Sequence, residues 1–327
     1  MKRILACLAG IVFSLAASSA SAALVGFKTF NGNVGLSTDG FGSTSNSGVI
    51  SSEVPSGATV LGAYLYTATY GTLGTPSVTL DGNGVTFGPR VPNATACCNL
   101  ASFRSDVTGL VKPKIEGGLG GIYNFDIAET GLGSNTDGSS LVIVYEHASL
   151  PEATVGLLDG FASVTGDSTS INFADPLNPA DPGFFADMRL GISFSCCGQR
   201  SRVEVNGDLL TENAGNFDDG DTQANGSLFT MGGFDDAYSP LNPSYEEDTE
   251  RYDLSSFVSA GDTSIFVDTF NASQDDNIFL ATFHVSGKAG VNEPPPDDDD
   301  PAEVPEPASA LLLLAGLLGV LRRSRLG

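Results

Sequence analysis

Apolar residues between Leu24 and Gly290 come in short runs, and none keeps the 3.6-residue spacing of an amphipathic helix. Gly, Asn, Asp, Ser and Pro bound these runs, and 40 of the 327 residues are glycine. Short alternating or continuous apolar runs between such turn residues are typical of β-strands. The pattern therefore predicts an all-β protein. The candidate strands are Thr59–Thr67, Ser77–Leu80, Gly84–Phe87, Ser140–Tyr145, Met188–Phe194, Arg202–Val205, Thr263–Asp268 and Asn277–Val285.

Two pairs of candidate strands are separated by residues that accept a positive φ angle. Asp81-Gly82 lies between the candidate strands Ser77–Leu80 and Gly84–Phe87, and Asn206-Gly207 follows Val203–Val205. Asp-Gly and Asn-Gly are favoured in two-residue hairpin turns. We therefore expect a tight hairpin at each position.

A short phrase, Asp followed by an apolar residue and Ser or Thr, occurs downstream of each hairpin. It lies in Ser105–Val111 and again in Tyr252–Val258, and two further strands follow each copy. A repeated order of strand, hairpin, phrase and two strands predicts duplication of one β-sandwich module. We place the first module at residues 23–160 and the second at 161–290.

The second copy resembles the jelly-roll sugar-binding modules found beside glycoside hydrolase domains. The likeness rests on the hairpin Val203–Gly207 and on Asp253 followed by Gly261-Asp262-Thr263. It implies a jelly-roll-like sandwich and transfers no binding site. The chain contains no Trp, the favoured platform for stacking on sugar rings, although eight Tyr could take that role.

The N-terminus has the three parts of a secretory signal peptide. Two basic residues precede an apolar run over residues 4–17, and the small-residue box Ala20-x-Ala22 lies directly before Ala23. This order predicts a signal helix within residues 1–22, cleavage before Ala23 and export of the chain.

The C-terminus also consists of three parts, preceded by an acidic Pro/Asp spacer at residues 291–303. The parts are a short motif, an apolar run over residues 308–321 and a basic cluster. At about 1.5 Å per residue that run spans roughly 21 Å as a short hydrophobic helix, less than a ~30 Å bilayer core. The motif is Val304, Pro305, Glu306 and Pro307, and the cluster is Arg322, Arg323 and Arg325.

Residues 304–327 resemble the PEP-CTERM sorting signal of Gram-negative bacteria. The resemblance implies transient inner-membrane association through the C-terminal helix and processing by an exosortase, after signal peptidase has acted at the other end. It also implies a mature protein at the cell surface or in an exopolysaccharide matrix. A simple C-terminal membrane anchor is the alternative interpretation.

Charge narrows the choice of partners. Lys and Arg total 15 against 39 Asp and Glu, which gives a formal net charge of −24. Such a chain repels phosphate backbones and anionic membrane surfaces. Nucleic acid is therefore excluded as an expected partner.

Four cysteines remain after signal removal: Cys97, Cys98, Cys196 and Cys197. An even number of thiols in an exported protein favours disulfides. Three pairings are open, of which two join the doublets and one closes two vicinal rings. We favour the pairings that join the doublets. A four-thiolate zinc site is the alternative, but its ligand pairs would be separated by two to four residues.

Acidic clusters suggest a possible cation site. Asp218, Asp219 and Asp221 could supply oxygen ligands to Ca²⁺, although their spacing is not that of an EF-hand loop. Solvated loop charge is the favoured interpretation, so no cofactor is assigned and Ca²⁺ remains the alternative. Similar clusters occur at Asp235-Asp236, Glu246-Glu247-Asp248 and Asp275-Asp276.

No catalytic motif is recognisable. The two histidines, His147 and His284, lie at a strand end and in an apolar strand, where packing or solvent exposure is expected. The sequence lacks a Gly-x-Ser-x-Gly elbow, a phosphate loop, a His-Glu-x-x-His motif and a Cys-x-x-Cys pair. The chain is therefore interpreted as a non-enzyme.

Three functional hypotheses follow. The first is an exported structural or adhesive protein of the cell surface or extracellular matrix. The second is a carbohydrate-binding protein that recognises exopolysaccharide through a sheet face with exposed Tyr and polar residues. The third is a matrix glycan hydrolase, which requires paired carboxyl groups with a raised pKa in a cleft.

Overall fold

The computed structural model describes residues 23–93, 99–130, 135–163, 165–194, 199–215, 219, 228–244, 247–270 and 278–296. This part of the chain is nearly all β, which confirms the expected fold class. The strands are β1 (Leu24–Gly32), β2 (Val34–Gly42), β3 (Ser47–Val54), β4 (Thr59–Thr69), β5 (Ser77–Leu80), β6 (Asn83–Gly84), β7 (Val91–Pro92), β8 (Ala101–Asp106), β9 (Gly121–Thr130), β10 (Thr136–Glu146), β11 (Ala153–Gly160), β12 (Asp167–Phe173), β13 (Ala186–Ile192), β14 (Ser201–Val205), β15 (Asp208–Ala214), β16 (Thr230–Met231), β17 (Arg251–Asp253), β18 (Ser264–Phe270), β19 (Ile278–Ser286) and β20 (Ala289–Val291).

The strands form four antiparallel sheets. We call the two sheets that face each other across the middle of the molecule the inner sheets, and the other two the outer sheets. The first outer sheet has the order β3-β9-β5-β6, and the first inner sheet has the order β2-β10-β4-β8-β7. The second inner sheet runs β1-β11-β19-β13-β16, with β17 also paired to β13, and the second outer sheet runs β15-β14-β18-β12-β20. Each outer sheet therefore has an inner sheet as its partner in a sandwich.

Three apolar layers hold the sheets together. Ile50 and Leu65 belong to the layer inside the first sandwich, and Leu190 and Val203 to the layer inside the second. The third layer lies between the two inner sheets, where side chains such as Tyr66 and Phe279 are buried. The four sheets are therefore stacked, and burial of apolar surface joins the two sandwiches.

The two sandwiches have the same topology. The order β3-β9-β5-β6 matches β12-β18-β14-β15, and β2-β10-β4-β8 matches β11-β19-β13-β17. The first repeat thus covers β2 to β10 and the second covers β11 to β19, while β1 and β20 extend the edges of β11 and β12. This division differs from the expected boundary at residue 160, because β1 and β11 pair within the second inner sheet.

Each of the eight candidate strands overlaps an observed strand, and two of them run at least two residues past the observed end. Only Gly84 of Gly84–Phe87 is in a strand, and β13 stops at Ile192, two residues before Phe194 with its φ of 35°. The structure also contains a helix that the sequence pattern did not predict, α1 (Thr108–Glu116). Its buried residues Val111 and Ile115 lie four positions apart and pack into the first sandwich.

The expected terminal helices, within residues 1–22 and at residues 308–321, lie outside the described residues. Within the described ranges, no helix is both long enough and apolar enough to cross a membrane.

Candidate functional site

A buried ion pair lies in the apolar layer between the two inner sheets. Asp187 and Arg189 alternate with apolar residues on β13, so both face the first inner sheet, and they are only 3% and 4% exposed. The Arg189 Nε donates to Asp187 Oδ1 at 2.7 Å, and its Nη1 donates to Thr38 Oγ1 of β2 at 2.9 Å. The ion pair therefore links the second sandwich to the first by a charged hydrogen bond.

Two further side chains complete this network. Arg251 Nε donates to Asp187 Oδ2 at 3.2 Å, and the Tyr238 hydroxyl donates to the same oxygen at 3.0 Å. Burial acts to raise the pKa of Asp187, but Arg189 and Arg251 outweigh it and hold that pKa below its usual value. Asp187 is thus a fully satisfied buried carboxylate.

A cavity of about 320 Å³ opens beside this network. We call it the seam cavity, because β2, β3 and β10 of the first sandwich and β13 and β17 of the second contribute to its walls. Its principal lining residues are Leu36, Glu53, Tyr145, Arg189, Phe234 and Arg251.

Four carboxyl groups interact electrostatically near the network. Burial raises the pKa of Asp39 to about 7, against two backbone hydrogen bonds, with a smaller contribution from Asp235 and Asp236. Burial also raises the pKa of Asp219 well above its usual value, and Asp39 adds to this effect. The oxygens of these two acids accept backbone N–H groups, from Ser51 at 2.6 Å and from Met231 at 2.8 Å.

These acids meet only part of the requirement for a hydrolase. Asp39 and Asp219 have a raised pKa, yet neither lines the seam cavity or the second cavity described below. Their hydrogen bonds join β2 to β3 and residue 219 to β16. The arrangement is that of partly buried structural tethers.

The candidate calcium residues are described only in part. Asp219 is among the described residues, while Asp218 and Asp221 are not. In the part of the chain that the structure describes, no group of three Cys, His, Asp or Glu side chains is placed to hold a metal ion. The interpretation of the acidic clusters as solvated loop charge is wrong for Asp219, and also for Asp248, whose carboxylate accepts from Thr211 and Tyr252.

Most of the other expected site residues lie outside the described ranges. Ala23 is described and leads into β1, with its carbonyl oxygen against Gly160. Leu100 and Phe194, which flank the cysteine segments, both pack in the layer between the inner sheets. The pairing of the cysteines stays a prediction. The residues outside the description are Ala20, Ala22, Cys97, Cys98, Cys196, Cys197, Val304, Pro305, Glu306, Pro307, Arg322, Arg323 and Arg325.

Both histidines have the packing or strand-end positions expected from the sequence. The His147 Nδ1 lies 2.7 Å from Ser149 Oγ in the turn after β10. His284 is mostly buried, with its Nε2 3.1 Å from the carbonyl oxygen of Val34 and its ring edge-on to Phe185. Burial lowers the pKa of His284 to about 4.

A second cavity, of about 280 Å³, lies at one end of the second sandwich. Asp175, Asn178 and Asp181 line it together with the ring of Phe184. The Asn178 Nδ2 donates to Asp181 Oδ1 at 2.6 Å, so the loop between β12 and β13 supplies its own internal hydrogen bond.

The outer face of the second outer sheet carries two exposed aromatic rings. Phe266 and Phe270 of β18 are 49% and 40% exposed, and four-residue spacing on a strand puts both on the same face. Arg202 lies beside Phe270 in the paired strand β14, and Asp268 stands between the two rings. The face is therefore mixed, with aromatic and charged groups side by side.

Neither the buried Asp187–Arg189 network nor the seam cavity could be found from motifs, since each combines residues far apart in the chain. The partial signal in the sequence is the alternation Ala186-Asp187-Met188-Arg189-Leu190, which places two opposite charges on the same face of an otherwise apolar strand. A comparison with protein-family models finds no match to this chain, and a search of curated proteins finds no significantly similar sequence.

Proposed function

We propose that the mature protein is a structural or adhesive component of the bacterial cell surface or extracellular matrix. The observation that supports this proposal is the stack of four sheets, in which a buried layer fixes one sandwich against the other. The Asp187–Arg189–Thr38 hydrogen bonds cross the same layer. A body of this kind keeps its outer faces at a fixed separation, which suits a protein that bridges other matrix components.

The proposal also rests on the two terminal signals in the sequence. Its test is the intact mass of the protein from cell-surface and culture fractions, with and without reduction. We expect a species that begins near Ala23, ends near Pro307 and gains the four hydrogens of two disulfides on reduction. A species that still carries residues 308–327 and occurs only in membranes would contradict the sorting proposal.

A second candidate function is binding of exopolysaccharide, favoured by the exposed pair Phe266 and Phe270. Aromatic rings with neighbouring polar groups can pack on the C–H face of a sugar and hydrogen-bond to its hydroxyl groups. The test is saturable binding to purified polysaccharide. We expect Phe266→Ala with Phe270→Ala to weaken it strongly.

A matched control lies on the opposite end of the stack. Val49 and Ile122 are exposed apolar residues of the first outer sheet, so Val49→Ala with Ile122→Ala removes comparable exposed surface. This control should leave polysaccharide binding unchanged. Equal losses in both double variants would indicate general surface adhesion and would refute a specific aromatic face.

A further inference from the structure

The seam cavity contains polar groups that no described part of the protein uses. Arg251 places its Nε on Asp187 and its Nη1 on the carbonyl oxygens of Phe234 and Asp236, at 2.8 and 2.7 Å. The Glu53 carboxylate and the Tyr145 hydroxyl have no hydrogen-bond partner among the described residues. Such groups in a concave site are available to a ligand.

The buried part of the cavity is preorganised. Arg189 is only 4% exposed, and two oxygens of Asp187 and the hydroxyl of Thr38 fix its guanidinium. Arg251 stacks on the Tyr238 ring, 4.6 Å from its centroid. Because both cations are held before any ligand arrives, binding need not order them.

The charges at the cavity balance. Arg189 and Arg251 carry two positive charges, and Asp187 and Glu53 carry two negative ones. Asp236 does not line the cavity, although its carboxyl group interacts electrostatically with both arginines. A charged ligand would therefore leave one charge without compensation, whereas a neutral ligand with hydroxyl groups would not.

The size and walls of the cavity narrow the choice further. At about 320 Å³ it lies at the small end of ligand pockets, which span roughly 300–1,000 Å³. Leu36 and Phe234 give it apolar walls, and the polar groups include both donors and acceptors. A hydroxyl group donates and accepts at once, so adjacent hydroxyls on a ring with an apolar C–H face match this lining.

We propose that the seam cavity binds one neutral sugar unit of a surface or matrix polysaccharide. Arg251 donates to a sugar hydroxyl, Glu53 accepts from one, and the Tyr145 hydroxyl does either. This inference deepens the second candidate function and rests on it. Since Glu53 and Tyr145 belong to the first sandwich and Arg251 to the second, the site exists only where the two repeats meet.

The test uses the mature full-length protein and ligand-observed NMR titration. The probes are methyl glycosides of glucose, galactose and mannose and free N-acetylglucosamine, with glucuronate and inorganic phosphate as charged probes. We expect saturable binding of at least one neutral sugar and weaker binding of both anions.

Two conservative variants assign the site. Tyr145→Phe removes only a hydroxyl, and Glu53→Gln removes only a charge, so neither should change the melting temperature. Each should weaken sugar binding by about 3- to 10-fold, because Tyr145→Phe loses one ligand hydrogen bond and Glu53→Gln replaces a charged acceptor with a weaker neutral one. Glu152→Gln is the control, because Glu152 lines the second cavity; it should leave the affinity unchanged.

Three results would overturn the inference. They are no saturable binding of any neutral probe, tighter binding of glucuronate or phosphate than of every neutral sugar, and an affinity that Tyr145→Phe and Glu53→Gln do not change. Suppose that Tyr145→Phe and Glu53→Gln leave sugar affinity unchanged, while Phe266→Ala with Phe270→Ala still abolishes polysaccharide binding. That combination would refute the seam site and leave the second candidate function standing. If the wild-type protein does not bind polysaccharide at all, both the seam site and the second candidate function are refuted.

Discussion

Asp81 and Asn206 occupy equivalent positions in the two sandwiches and make the same hydrogen bond. The Asp81 Oδ1 accepts the backbone N–H of Asp126 at 2.9 Å, and the Asn206 Oδ1 accepts that of Phe266 at 2.9 Å. Both residues have a positive φ, 48° and 52°. The two repeats therefore share a hairpin and also the side-chain bond that ties it to the neighbouring strand.

The Asp-containing phrase is equivalent in the same way. The Asp106 Oδ1 accepts the N–H of Thr108 at 2.9 Å, and the Asp253 Oδ1 accepts that of Ser255 at 2.9 Å. In each repeat this turn ends a strand and starts a helical segment, α1 in the first and the 3₁₀ turn Ser255–Phe257 in the second. Local side-chain bonding of this kind favours turns over continued strand.

The first prediction concerns the hairpin glycines. Gly82 and Gly207 have φ angles of 74° and 86°, and a Cβ at either would meet nothing within 4 Å. Alanine there should cost about 1 kcal/mol of unfolding free energy through backbone strain alone. Gly84→Ala is the control, because Gly84 is equally open and lacks a positive φ. Urea denaturation measures all three, and equal losses would contradict the strain argument.

The second prediction concerns the ion pair between the inner sheets. Arg189→Met leaves Asp187 buried with one of its two cations gone, so we expect a loss of about 3 kcal/mol. The control is Arg202→Met, which removes an exposed pair with Glu204 and should change stability by less than about 1 kcal/mol. Denaturant unfolding gives both values. Similar small losses would show that the network contributes little to the stability of the stack.

Local chemistry in the sequence was enough to predict several parts of the fold. Asp81-Gly82 and Asn206-Gly207 determine their hairpins through φ preferences that depend on two residues. The sheet to which β11 belongs depends instead on distant pairing with β1 and β19. Its sequence, Ala153–Gly160, is almost continuously buried, so no polar side indicates which neighbour it faces.

Helix α1 was missed for a related reason. It contains Gly109 and Pro113, which are poor helix formers, and it is only nine residues long. Packing of Val111 and Ile115 against the first sandwich stabilises it, and that contact is not visible in a linear pattern. The same holds for the seam cavity, where Glu53, Tyr145 and Arg251 are brought together only by the stacking of the sheets.

The third prediction is that stability falls as pH rises from about 4 to about 7, through Asp39. Its pKa is about 7 in the folded protein and 3.8 in an unperturbed aspartate, so between these values the folded state binds more protons than the unfolded state. The stabilising contribution is therefore present at low pH and lost as pH rises. Asp39→Asn should flatten the dependence of the melting temperature on pH over this window. Asp219 acts in the same direction, so part of the slope should remain. An unchanged slope in the variant would contradict the assignment to Asp39.

The fourth prediction concerns His284, whose effect has the opposite sign. Its pKa falls from 6.5 to about 4 on folding, because burial disfavours the charged ring. Between these values the unfolded state binds more protons, so this contribution is present above pH 6.5 and is lost as pH falls towards 4. His284→Leu should lower the melting temperature at pH 7, where the hydrogen bond to Val34 and the contact with Phe185 disappear.

The deficit of His284→Leu relative to the wild type should then shrink on acidification, since leucine has no proton to gain. Thermal unfolding at pH 7.0 and 4.5 in the same buffer system measures the difference. Combining His284→Leu with Asp39→Asn should remove the two opposing slopes of these residues and leave the slope to which Asp219 contributes. A deficit that stays constant between the two pH values would show that His284 is not the group that titrates on unfolding.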